Sequence, residues 1–168
     1  MKKSAVAVAA LLALGMGPAM AQTPQPADWV TLNFSIDIAR PADVAWKKTG
    51  GDDWCAIGKY IDLPCKVDSG KGELGSFRTI VTGAGPVVEN VVARTKYSYT
   101  YAQPFSPTFY HGTMAIEPLS ATTSRLTYAL IWNQAAIPDQ KARTTAYEGR
   151  KTRFQAAMEK MKADAEKP

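Results

Sequence analysis

The 168-residue sequence contains one histidine and two cysteines. Zinc, haem and iron–sulfur sites are built from clusters of such side chains, so a metal site of that kind is excluded and no cofactor is expected. There is no G-x-S-x-G elbow to mark a serine hydrolase and no C-x-x-C spacing to depress a thiol pKa. Nor does any apolar run reach the roughly 20 residues that span a bilayer. The apolar run over residues 5–14 follows Lys2 and Lys3, and it ends at Gly15 to Pro18 and the small-x-small site Ala19-Met20-Ala21. This is the order of a secretory signal peptide over residues 1–21, cleaved between Ala21 and Gln22. The expectation is a periplasmic or secreted protein without stable membrane insertion.

Cleavage at that site removes two lysines and lowers the formal net charge from +5 to +3. The excess lies in residues 139–168, which hold eight Lys/Arg against five Asp/Glu, whereas residues 22–138 are balanced at ten against ten. A nucleic-acid groove interleaves basic and aromatic residues, and that pattern is missing, so no nucleic-acid partner is expected. Cys55 and Cys65 lie ten residues apart in a chain bound for an oxidising compartment, which points to a disulfide between them.

Residues 22–28, with two prolines, form a short disordered lead. Residues 29–38 alternate, with Val30, Leu32, Phe34, Ile36 and Ile38 on one face, and predict a half-buried strand. Pro41 opens a short helix over residues 42–48, with Val44 and Trp46 as core candidates. Asp52 is placed as the N-cap of a second short helix running through Trp54, Ile57 and Tyr60 towards Pro64. Strands then follow at residues 65–68, 76–82, 87–94, 97–102, 111–117 and 124–133, joined by short connections that favour antiparallel hairpins. After Pro138, Tyr147, Lys151, Phe154, Met158 and Met161 recur at three and four, beside Ala146 and Ala157, and predict one long amphipathic helix.

The expected class is α+β: an antiparallel sheet of about seven strands, curved around a long C-terminal helix, with two short helices after strand 1 and one domain over residues 29–168. A curled sheet against a helix leaves a cavity. This element order resembles the START-like superfamily (SRPBCC), which includes polyketide cyclases, plant pathogenesis-related allergens and abscisic acid receptors. Pro41-Ala42-Asp43-Val44-Ala45-Trp46 is similar to its first-helix opening and Gly75-Ser76-Phe77-Arg78 to its G-s-x-R strand, while Val88-Glu89-Asn90-Val91 sits where many members carry a Glu before an apolar residue. The resemblance implies the helix-grip fold and a ligand cavity between sheet and helix. An export signal and a disulfide depart from the family's pattern, so its cytosolic functions do not carry over.

Residues 70–75, Gly-Lys-Gly-Glu-Leu-Gly, spell G-x-G-x-x-G, but a strand follows where a dinucleotide site needs a helix, so they read as a hairpin loop. His111 opens a strand after the aromatic and proline-rich stretch 104–110, which is placed across a cavity mouth. A lone His serves either as a structural hydrogen-bonding residue or as a ligand or catalytic group. Glu89 shares a strand face with Val87, Val91 and Ala93. It reads either as a cross-strand ion pair or an outward Glu, or as a ligand contact inside the cavity, where Arg78 on the neighbouring strand could supply a cation and line the site with it. Tyr97, Tyr99 and Tyr101 share one strand face, and Leu126, Tyr128, Leu130 and Trp132 another, as core or as cavity lining. Trp54, Phe77, Met114 and Phe154 complete the candidate lining.

Three functions fit this pattern. The first is a binding protein for a small hydrophobic or aromatic molecule held between sheet and helix. The second is a cyclase or lyase on the same cavity, with acid/base catalysis by Glu89 or His111. The third is an envelope interaction protein with a filled core and a basic helix face that touches membrane or partner surfaces. None of the three sets an oligomeric state.

Overall fold

Alternation of side chains across an extended chain places every second residue on the same face, and the first strand follows that rule. In the computed structural model, which describes residues 28–168, β1 spans Trp29–Ile38 and buries Leu32 and Ile38, with Val30, Phe34 and Ile36 half-buried on the same face. The signal peptide expected at residues 1–21 and nearly all of the lead expected at residues 22–28 lie outside the described residues.

Two short helices follow. In α1 (Ala42–Lys48), entered through Pro41, Trp46 is buried as expected, but Ala42 and Ala45 rather than Val44 are the other buried residues. Gly51 closes over Trp46, and a Cβ there would fall 2.2 Å from the indole. The second helix is shorter than expected: α2 spans Ala56–Ile61, with Cys55 at its N-cap and no side-chain cap. Asp52 does not cap it, because its Oδ1 instead accepts from Trp46 Nε1 at 2.9 Å. Cys55 and Cys65 are joined by a disulfide with a Cα separation of 5.5 Å, tying the start of α2 to the start of the next strand.

Six strands then run as an antiparallel meander: β2 (Cys65–Ser69), β3 (Phe77–Thr82), β4 (Gly85–Thr95), β5 (Ser98–Ala102), β6 (His111–Pro118) and β7 (Ser124–Asn133). β1 pairs antiparallel with β7, so the sheet order is β1-β7-β6-β5-β4-β3-β2. The G-x-G-x-x-G stretch is the loop between β2 and β3. A register shift between Val91 and Ala93 turns Ala93 outward, so the apolar row of β4 ends at Val91 and Arg94 takes the inward place opposite Tyr99. Arg94 then donates to the carbonyls of Gly72 at 2.6 Å and Gly51 at 3.0 Å.

After a 3-10 turn at Gln134–Ala136, α3 runs over Gln140–Glu166, capped by the side chain of Asp139. Its buried residues are Phe154, Ala157, Met158, Met161 and Ala165, all in its second half. Lys151, placed on the apolar stripe by its spacing, is exposed. The helix turns so that Arg150 takes that place. The concave face of the sheet, carrying Tyr99, Tyr101, Met114, Ile116, Leu126, Tyr128, Leu130 and Trp132, packs with Trp46, Trp54, Ile57 and Tyr60 against this half of α3. No helix of the described residues is long and apolar enough to cross a membrane.

Candidate functional site

The register of β3 with β4 sets Arg78 opposite Glu89. Both side chains enter the concave face, where Arg78 is 1% and Glu89 5% exposed. Arg78 Nε donates to Glu89 Oε2 at 2.8 Å, and its Nη2 lies 2.7 Å from the same oxygen. Nη1 donates to the Trp54 carbonyl at 2.5 Å, and the guanidinium sits 3.8 Å from the Trp54 ring centroid and 5.0 Å from that of Tyr101. The second carboxylate oxygen of Glu89 accepts from Gln103 Nε2 at 3.0 Å. Burial opposes the charge on Arg78, but Glu89 and the oxygens of Tyr99, Tyr128 and Tyr101 outweigh it and hold the guanidinium above its ordinary pKa.

This pair closes the inner end of a cleft of about 180 Å³. Ile57, Ile61 and Leu63 from the α2 segment, Ile80 and Val87 from the sheet, and Phe154 from α3 supply apolar walls; Tyr101, Gln103 and Tyr110 supply polar tips. Arg150 and Arg153 stand on the α3 side. The Arg150 guanidinium lies 4.6 Å from the Trp132 ring centroid and 5.2 Å from that of Tyr110, and its Nη1 donates to the Ala146 carbonyl at 3.2 Å. Burial lowers its pKa, against an opposing pull from Tyr110. Burial also raises the pKa of Tyr99, Tyr101, Tyr110 and Tyr128, which stay neutral donors. Tyr128 donates to the Tyr101 hydroxyl at 3.4 Å.

Of the residues singled out by sequence, Arg78, Glu89, Tyr101 and Phe154 meet in the cleft. Trp54, Tyr99, Met114, Tyr128 and Trp132 are buried in the core. They form the packed layer behind the cleft. Phe77 and His111 need correction, because both lie on the opposite face of the sheet. Phe77 neighbours the inward Arg78 and pairs with Asn90. His111 pairs with the exposed Ile131, and its Nδ1 donates to the Phe109 carbonyl at 2.7 Å. The aromatic stretch before it splits: Phe105 and Phe109 are 80% and 62% exposed, whereas Tyr110 is buried and lines the cleft.

Sequence reasoning missed Arg150, Arg153, Gln103 and Tyr110. For Tyr110 a signal existed, since it shares parity with Gly112, Met114 and Ile116, the inward row of β6. Arg150 stands three residues after Tyr147 and four before Phe154, and Lys151 stands four and three, so helical spacing alone could not choose between them.

Solved structures share this fold. The Zhui aromatase/cyclase of Streptomyces sp. R1128 superposes with a TM-score of 0.66 at 14% identity, over 82% of this chain and 94% of that one. Ara h 8.0201 gives 0.53 at 15% identity, over 79% and 97%. The protein XoxI of Bacillus cereus gives 0.61 at 17% identity, over 82% and 99%. The chain has the START-like helix-grip fold. No protein-family model matches the sequence, and neither does any curated protein. As a START-like fold, the chain grips α3 in its curved sheet, and the cleft lies where that grip is incomplete.

Proposed function

We propose that this chain is an exported START-like protein, periplasmic or secreted, that binds a small hydrophobic or aromatic molecule in the cleft between sheet and α3. The observation that carries the reading is the cleft itself: aliphatic and aromatic walls with a few polar groups among them, the usual composition of a small-molecule site. Its size suits a small ligand, since an apolar cavity of about 150 Å³ accommodates benzene. The Cys55–Cys65 disulfide and the signal-like residues 1–21 support export.

A catalytic reading of the same cleft rests on Glu89 alone, with His111 on the far side of the sheet. Both Glu89 oxygens are engaged, one by Arg78 and the other by Gln103, which favours a fixed acceptor over a group that exchanges protons. Binding is therefore the preferred function. The filled-core alternative is weakened by the cleft that the packed rings leave open.

Native mass spectrometry of the protein isolated from its own host, with identification of any released molecule, tests the proposal. A small hydrophobic molecule is expected on the wild type and absent from Val87→Trp, which fills the cleft. The same molecule on both proteins, or none on the wild type after gentle isolation, would overturn it.

A further inference from the structure

The charges around the cleft are unequal. Its one carboxylate, Glu89, is already matched by Arg78 at 2.7 Å. Arg150 and Arg153, which also line the cleft, have no ion pair among the described residues. The first is half-buried with its guanidinium near two aromatic rings, and its Nη1 donates to the Ala146 carbonyl at 3.2 Å. A guanidinium has five donors and remains charged at neutral pH, so beyond the Ala146 carbonyl and the Tyr110 hydroxyl it keeps donors for a ligand. Arg153 lies three residues further along the same helix, and its like charge adds to the burial that lowers the Arg150 pKa. Two unmatched cations at the rim of an apolar cleft are a repulsive arrangement in the empty protein that an anion relieves.

From this we infer that the ligand is a small amphipathic anion. It presents a carboxylate or similar head to Arg150 and Arg153, and a single ring or short chain to Ile57, Ile80, Val87 and Phe154. The inference rests on the binding function proposed above and specifies its chemistry. Arg78 does not take part in holding the head, because Glu89 and the Trp54 carbonyl occupy its donors.

The test is a chemical-shift titration of the full chain with phenylacetate and hexanoate, each beside its uncharged amide. The acids are expected to shift the resonances of Val87, Tyr101 and Tyr110 and to bind at least ten-fold more tightly than the amides. Raising salt should weaken the acids and spare the amides. In Arg150→Gln the acids should fall to the affinity of the amides while the amides keep theirs. Acids and amides binding equally in the cleft would overturn the anionic assignment and leave the binding function standing. If neither acid nor amide shifts the cleft resonances, both fail. Acids that bind Arg150→Gln as tightly as the wild type, with its amide spectrum otherwise unchanged, would remove Arg150 as the head-group partner and the inference with it.

Discussion

Replacing Glu89 by Gln preserves the shape of the side chain and deletes the charge facing Arg78. The guanidinium is 1% exposed and cannot recover the loss from water. Breaking a buried pair by removing one partner costs about 3–5 kcal/mol. Here the lower end applies, because the amide oxygen can still accept and the Trp54 carbonyl and ring remain against the guanidinium. A loss of about 3 kcal/mol corresponds to a fall of about 1.5 M in the urea midpoint at a slope of about 2 kcal/mol/M. In heat it corresponds to a melting temperature lower by roughly 10 °C. The assay is urea unfolding at pH 7 followed by tryptophan fluorescence. Replacing both partners, Arg78→Met with Glu89→Leu, leaves no unmatched charge and should cost clearly less than Glu89→Gln alone. A Glu89→Gln midpoint within about 0.3 M of wild type, or a double variant as unstable as the single one, would refute the account of this pair.

Three further outcomes are expected. Cys55→Ser with Cys65→Ser should destabilise the chain by about 3 kcal/mol in the chain-entropy account of a loop this short, and a thiol assay on denatured, unreduced protein should find no free thiol. Gly112→Ala should displace the Tyr101 ring, which lies 2.3 Å from where the new Cβ would stand, so stability should fall by about 1–3 kcal/mol and the chemical shifts of the cleft should move. Hydrogen bonds from Lys167 and Lys59 hold the Asp164 carboxyl down to about 2. Its contribution is therefore present above the ordinary aspartate value of about 3.9 and lost as pH falls through about 2, and Asp164→Asn should flatten the acid limb of stability in that window.

The period-two strands were the most legible part of the fold. β1 and β7 match their expected bounds, because large apolar residues recur at every second position from Val30 to Ile38 and from Leu126 to Trp132. The same rule could have corrected two site residues: His111 and Met114 differ in parity on one strand, and Phe77 and Arg78 are adjacent, so neither couple can face inward together. Tertiary features hid the rest. The bulge after Val91 changes the phase of β4 in mid-strand, and nothing in Val-Val-Ala-Arg announces it. The start of α2 is fixed by the disulfide and by Trp46 drawing Asp52 away, interactions between residues that sequence patterns treat separately. The cleft depends on which shoulder of α3 faces the sheet, a rotation of one residue that exchanges Lys151 for Arg150.

The uneven burial of α3 makes it two mechanical pieces in one continuous helix. From Phe154 onward it is moored: its apolar residues are sunk in the core, Lys59 and Tyr60 of α2 hold Asp164, and Arg40 reaches the Glu166 carbonyl at 2.9 Å. The stretch before Phe154, which carries both cleft arginines, contributes no fully buried residue and rests on half-buried contacts such as Tyr147 against Trp132. The front portion covers Trp132 and Tyr110 but sinks no apolar residue of its own, so amide exchange is expected to be faster before Phe154 than after it.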